Sequence, residues 1–219
     1  MAVRNTREMV RHLPLFCFSL VQGDCAMGFE PIVTERLILR PYEQRDRARL
    51  VKHANNWRVA KNLGQMPFPY TEQCADEWLA KHPGFWDSGS SYPLVIALDG
   101  EHIGGIGLDV RAHGQWELGY WLGEPYWNRG YASEASRALV DFAFEKIDLE
   151  RMVAGHYVDN HPSGRVLTKL GFRYTVEAMR PCLARGTDVK CLEMTLTRVS
   201  WAEAAGGAKG AKAGYAWAS

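Results

Sequence analysis

Several absences narrow what this 219-residue chain can be. No stretch reaches the roughly 18 uninterrupted apolar residues of a membrane-spanning helix, so no membrane partner is expected. Neither sign of charge is in excess, since 26 Lys and Arg stand against 25 Asp and Glu. A general nucleic-acid binder, with its basic excess or stripe, is therefore not expected. The five cysteines (Cys17, Cys25, Cys74, Cys182, Cys191) are odd in number and form no C-x-x-C pair. Neither a metal site nor a disulfide framework follows from them, and reduced thiols in a cytoplasmic compartment do. The G-x-x-x-x-G-K-[ST] phosphate loop is missing, and Gly105-Ile106-Gly107 lacks a third glycine in step, so neither common nucleotide fingerprint is present. What remains, 47% hydrophobic and 23% charged, is the composition of one ordinary globular domain.

The two ends differ from the middle. Arg4, Arg7 and Arg11 precede a short apolar run at 13–21, which imitates a secretory signal. Gln22-Gly23-Asp24 is a poor cleavage site, so 1–26 reads as a non-core extension, with Met27 a candidate for the true start. Residues 202–219 are mostly Ala, Gly and Lys and read as a disordered tail. The domain is expected over 27–201.

Within it, 37–40 is a first strand stopped by Pro41, 45–54 a helix, and 57–63 a second short helix. Thr71 is placed to cap a helix over 72–81. Strands at 93–98 and 102–110 meet at Asp99-Gly100, a two-residue hairpin signal. Then come a strand at 116–122, a helix at 133–146, a strand at 152–158, a helix at 163–170 stopped by Gly171, and a closing strand at 189–197. The expectation is a mixed α/β sheet with a crossover helix near its centre.

Two stretches carry chemistry. Glu117-Leu118-Gly119-Tyr120-Trp121-Leu122 runs through a glycine-bearing loop, Trp127-Asn128-Arg129-Gly130, straight into a helix. Such an arrangement aims free N–H groups and a helix dipole at one point, where phosphate binds without lysines. The alternative is an ordinary strand–helix connection. The second stretch is Asn160-His161-Pro162-Ser163, followed by Val166 to Phe172. Asn160 and Ser163 either point into the same crevice or simply cap a helix.

Together the stretches resemble the GNAT superfamily of acetyl-CoA-dependent N-acetyltransferases, and within it the RimJ/RimL-like branch. Thr34-Glu35-Arg36-Leu37-Ile38-Leu39-Arg40-Pro41 resembles that branch's opening strand, and three motifs stand in the right order. The family's [QR]-x-x-G-x-[GA] pattern is met except that Trp127 fills the first slot, which removes a polar contact. The resemblance implies a single-domain, splayed mixed sheet flanked by helices, with acetyl-CoA as co-substrate and no metal. It implies that the amides of Arg129, Gly130, Tyr131, Ala132 and Ser133 hold the pyrophosphate. Trp121, Leu122 and Gly123 would line the pantetheine and acetyl group, and Asn160 would bond the pantetheine amides.

The implied reaction is direct attack of an amine, from a protein N-terminus or a small molecule, on the thioester. It needs a proton acceptor, a donor to the carbonyl oxygen and a partner for the leaving thiolate. The Leu122 N–H is the candidate donor and Ser163 the candidate partner. Glu117 is the candidate base, with a structural ion pair as its alternative; His156 and ordered water are the other routes. Cys182 has no His partner in sequence, so a covalent intermediate is not expected. Trp57, Phe68, Tyr70, Trp78, Trp86 and the loop at 181–186, with Arg185, are expected to border the acceptor. A homodimer is compatible with this reading. The competing readings are a non-catalytic acyl-CoA sensor and another phosphate-ligand enzyme.

Overall fold

The computed structural model describes residues 29–111 and 114–208. The expectations for 1–26, including the apolar run at 13–21, and for 209–219 lie outside the described residues. The elements run β1 (Ile32–Val33), β2 (Leu37–Arg40), α1 (Arg47–Ala54), α2 (Trp57–Ala60), α3 (Glu72–Ser88), β3 (Ser91–Leu98) and β4 (Glu101–Val110). They continue β5 (Trp116–Leu122), α4 (Tyr131–Glu145), β6 (Arg151–Tyr157), α5 (His161–Leu170), β7 (Arg173–Cys182), β8 (Thr187–Thr197) and α6 (Arg198–Ala208). One sheet holds all eight strands in the order β1-β2-β3-β4-β5-β6-β8-β7. Every neighbouring pair is antiparallel except β5 and β6, which are parallel and joined through α4. The expected mixed sheet with a central crossover helix is therefore the architecture found.

Local chemistry explains most element boundaries. Thr71 accepts the Cys74 N–H at 3.3 Å and caps α3. Asp99 and Gly100 both take positive φ, 50° and 81°, which is the geometry of the tight β3–β4 hairpin. The main core lies between the sheet and α4 and α5, where Leu108, Leu118, Leu139, Phe144, Met152 and Leu167 are among the buried residues. A smaller core, with Leu50, Ala54, Tyr70 and Ala75, sits under α1 and α3 on the other face.

Four elements differ from the sequence expectation. β1 was not expected, being only two residues long. α3 continues past 81, through Pro83, to Gly89 in the left-handed region. Its last turns are held by packing: His82 is buried, and Trp86 lies 5.1 Å from Phe29 and 5.0 Å from Tyr92. β7 is an edge strand whose first five residues are all exposed, so it shows no alternation to read. Finally, 202–208 is not a disordered tail but continues α6. Alanine favours helix intrinsically, and Trp201 stacks on Phe144 at 5.1 Å while donating to Asp141 at 2.7 Å.

Candidate active site

The site begins where the sheet opens. β5 and β6 pair only at Trp116–Met152 and Glu117–Val153, so the strands part from Leu118 onward. The bond from the Gly123 N–H to the Ile103 carbonyl, 2.9 Å, fixes the antiparallel alternation along β5. Odd-numbered residues of β5 bond to β4. The backbone groups of Tyr120 and Leu122 therefore face the gap left by β6. The Leu122 carbonyl is met there by Trp127 Nε1 at 2.8 Å. This accounts for Trp127 in the pattern's first slot: its indole ties the loop to the end of β5.

The loop then delivers a set of free donors. Asn128 and Gly130 have φ of 60° and 83°, and Gly130 is the residue before α4. The first α4 amide with a backbone partner is that of Glu134, bonded to the Gly130 carbonyl at 3.0 Å. The N–H groups of Arg129, Gly130, Tyr131, Ala132 and Ser133 have no partner among the described residues. They converge at the positive end of a 15-residue helix.

A brace from the Thr34-Glu35-Arg36 segment that leads into β2 holds this loop. Glu134 Oε1 accepts from the Thr34 hydroxyl at 2.6 Å and from the Arg36 N–H at 2.9 Å. The Arg36 guanidinium bonds Glu134 Oε2 at 2.7 Å and the Arg129 carbonyl at 3.1 Å, and it lies 4.6 Å over the Tyr131 ring. Burial opposes ionisation of Glu134, but the bonds from Thr34 and Arg36 prevail and hold its pKa below the ordinary value. The brace also neutralises a carboxylate that would otherwise stand beside an anion site.

The far wall is the start of α5. Asn160 Oδ1 accepts the Ser163 N–H at 3.4 Å, so Asn160 is the cap and Ser163 is not. Ser163 Oγ lies 2.8 Å from the Tyr120 hydroxyl, which also reaches the Ser163 carbonyl at 3.1 Å. Burial raises the Tyr120 pKa, against the smaller effect of the Ser163 bond, so the phenol keeps its proton.

Glu117 sits at the root of the opening in a cluster of charges. It is ion-paired with Arg111 through both oxygens, and Arg180 Nη1 donates to Oε1 at 2.7 Å. Arg180 pairs in turn with Glu193. Burial, then the carboxylates of Glu193 and Asp109, push the Glu117 pKa up to about 8. The guanidiniums on its oxygens act the other way. The ion pair that the sequence reading held as its alternative is thus present, and a basic role would require Glu117 to release a guanidinium.

Other expected residues go elsewhere. The Trp121 side chain faces α1 and α3, 5.6 Å from the His102 ring, and only its neighbour Leu122 addresses the gap. Gly123 lies against His53, which a side chain there would strike. His156 has both ring nitrogens engaged, with the Tyr157 carbonyl at 2.9 Å and the Tyr174 hydroxyl at 3.1 Å. Cys182 is buried with its Sγ against the Lys61 and Leu63 carbonyls. Arg185 is spent on the Lys61 carbonyl at 2.7 Å and on Asp159 at 2.9 Å. The aromatic segment divides: Trp57 and Phe68 form an exposed pair at 5.4 Å, Tyr70 and Trp78 join the small core, and Trp86 packs at the far end of α3.

Sequence reasoning did not find Tyr120, the Arg36–Glu134 brace or the Arg111–Arg180–Glu193 cluster. Only Tyr120 left a local signal, since it occupies the gap-facing register of β5. Among the described residues, no group of His, Cys, Asp and Glu could hold a metal ion, and no helix is long and apolar enough to cross a membrane.

A strand that parts from its parallel neighbour, followed by a helix with free amides, is the arrangement of an acyltransferase of the GNAT kind. Residues 36–173 match the family described as the acetyltransferase (GNAT) domain, and the chain belongs to that family. It is 29% identical over 159 residues to the uncharacterized N-acetyltransferase YnaD of Bacillus subtilis, covering 72% of this chain and 90% of YnaD. The fold superposes with a TM-score of 0.72 on Mycobacterium smegmatis RimJ in complex with CoA-disulfide, at 23% identity over 82% of this chain and 95% of RimJ. RimL, a ribosomal L7/L12 α-N-protein acetyltransferase in complex with coenzyme A, gives a TM-score of 0.69 at 18% identity, covering 77% of this chain and 98% of RimL. These neighbours share the fold that the three motifs implied.

Proposed function

We propose that this protein transfers the acetyl group of acetyl-CoA directly to a primary amine, in a ternary complex and without a covalent enzyme intermediate. The observation that carries the reading is the row of unpartnered amides at 129–133, at the mouth of the gap between β5 and β6. That row matches the two negative charges and many acceptor oxygens of a pyrophosphate. The pantetheine arm then lies in the gap, where the free N–H of Leu122 and the unused Asn160 Nδ2 suit its amides. RimJ and RimL are described as complexes of CoA, which supports the same ligand here.

On this reading the Leu122 N–H donates to the thioester oxygen as charge develops. Ser163 Oγ meets the departing sulfur, and Glu117, directly or through water, takes the amine proton. The acceptor is an α-amine, of a peptide N-terminus or a small molecule, as RimL is a ribosomal L7/L12 α-N-protein acetyltransferase. It approaches from the face bearing Glu117, opposite α4 and α5. Trp57 and Phe68 are the aromatic pair left exposed on the early helical segment to receive it. The catalytic unit runs from 27 through the end of α6. The free thiols Cys74, Cys182 and Cys191 suit a reducing, cytoplasmic setting.

The test is release of free CoA thiol from acetyl-CoA in the presence of a panel of peptides, amino acids and small amines. Turnover with at least one α-amine is the expected result. Tight CoA binding with no turnover across the panel would favour a sensor instead.

A further inference from the structure

Among the described residues, Tyr120 is the side chain of β5 that hydrogen-bonds to α5 across the opening. Its phenol reaches the first turn of α5 beyond the point where β5 and β6 cease to pair, and both of its contacts are to Ser163. We infer that Tyr120 is a positioning residue for acetyl transfer, holding Ser163 Oγ so that the serine hydrogen can be turned onto the sulfur of the thioester. The inference rests on the acetyl-transfer reading above.

The hydrogen count makes the case. Tyr120 and Ser163 have one hydroxyl hydrogen each, while the Ser163 carbonyl can only accept. Without ligand, the Tyr120 hydrogen goes to the Ser163 carbonyl at 3.1 Å and the Ser163 hydrogen goes to Tyr120 Oη at 2.8 Å. Both donors are satisfied. With a sulfur in the gap, Tyr120 turns its hydrogen to Ser163 Oγ across the same 2.8 Å, and the serine hydrogen is released to the ligand. Both donors are again satisfied, and no heavy atom has moved. A hydroxyl that accepts a hydrogen bond is also a stronger donor, because the chain of bonds is mutually polarising.

The chemistry balances without a charged Tyr120. When the tetrahedral adduct collapses, the C–S bond breaks and its electron pair stays on sulfur. Ser163 donates a hydrogen bond to that thiolate and keeps its proton. The proton lost by the amine nitrogen equals the one that CoA-SH finally gains from solvent. A serine alone is too weak an acid for proton transfer, but a held serine hydroxyl suffices to stabilise a thiolate.

The experiment uses the full chain and compares Tyr120→Phe, Ser163→Ala and the double variant, with melting temperature, acetyl-CoA affinity by calorimetry, kcat and KM for each. Tyr120→Phe keeps the ring and should melt with the wild type. Its kcat should fall about tenfold or more with the KM for acetyl-CoA within about twofold. Adding Tyr120→Phe to Ser163→Ala should cost no further activity, because the tyrosine acts through the serine. Ser163→Thr, which keeps a hydroxyl, should recover most of what Ser163→Ala loses. The kcat–pH profile of Tyr120→Phe should have the wild-type shape. An unchanged kcat in Tyr120→Phe, or an undiminished loss on top of Ser163→Ala, overturns the inference. So does a pH limb that disappears with the phenol, since Tyr120 would then be a proton donor itself. A wild-type protein that binds no acetyl-CoA overturns the acetyl-transfer reading as well, and so separates the two failures.

Discussion

Arg36 and Glu134 stand 98 residues apart in sequence, yet the guanidinium Nε of the first lies 2.7 Å from Oε2 of the second, at the start of α4. The same guanidinium reaches the Arg129 carbonyl, so one side chain fixes both the helix and the loop of free amides. The opening Thr34-Glu35-Arg36 segment earns its place as a motif through this brace rather than through its strand.

Arg36→Ala is expected to weaken acetyl-CoA binding. The pair is partly open to solvent, with side-chain exposures of 41% and 15%. A discounted contribution of about 1 kcal/mol, or roughly fivefold in Kd, is the expected size. Calorimetry on the variant measures it, and an affinity equal to the wild type's would mean that the loop needs no brace.

Glu117 offers a test by pH. Its carboxyl is pushed up to about 8 by burial and by Glu193 and Asp109. If it takes the amine proton, kcat/KM rises with pH through about 8 and is lost below it, because only the ionised form accepts a proton. Glu117→Gln should then remove that limb. A profile that keeps the limb in Glu117→Gln assigns it to the acceptor α-amine, whose own pKa lies at about 8, and leaves Glu117 as the ion pair of Arg111 and Arg180.

Acid stability should depend on the histidines under α1 and α3. His102 is 1% exposed, neither ring nitrogen has a hydrogen-bond partner among the described residues, and burial lowers its pKa to about 4. Asp46 opposes the lowering, and His53, with a smaller effect, reinforces it. His53 and His82 are themselves lowered, chiefly by burial. The folded pKa lies below the unfolded value of 6.5, so the stability is fully present above 6.5. It is lost as the pH falls from there toward about 4. His102 alone contributes up to about 3 kcal/mol of this change. Urea unfolding at neutral pH and near the lower end of that window should show a smaller drop for His102→Phe than for the wild type. Equal drops would place the sensitivity elsewhere.

The ends of the chain are a further test. A protein spanning 27–208 should keep the melting temperature and activity of the whole. Ending at 200 instead removes the Trp201 stack on Phe144 and the bond to Asp141, and should cost about 3 kcal/mol or more, the loss expected for a large aromatic side chain. Identical melting of the two truncated chains would make α6 an appendage.

The parts of the fold legible in the sequence are those whose causes are local. The residues of β5, the Asp99-Gly100 hairpin, the Thr71 cap and the Gly171 stop can each be read from adjacent residues. The first half of β7 could not, because five successive residues exposed on both faces of an edge strand carry no apolar period. The run of α3 through Pro83 is a tertiary effect, with Trp86 and His82 held by groups distant in sequence. In the site, the free amides follow from loop and helix and were legible. Tyr120–Ser163 spans 43 residues and Thr34–Glu134 spans 100, and no spacing rule joins such pairs. Arg185 and Trp78 were natural candidates for an acceptor pocket by residue type alone, but the chain uses both to hold itself together.

The most direct measurement is titration calorimetry of acetyl-CoA into the wild type and into Gly130→Asp. At φ 83° an aspartate strains the loop, its Cβ crowds Arg36, and its charge stands among the amides of 129–133. The wild type should bind, and Gly130→Asp should bind at least about tenfold more weakly while remaining folded, the penalty of a backbone strained by roughly 1–3 kcal/mol together with like-charge repulsion. Undiminished affinity in a folded Gly130→Asp would contradict the placement of the cofactor, and with it the site described above.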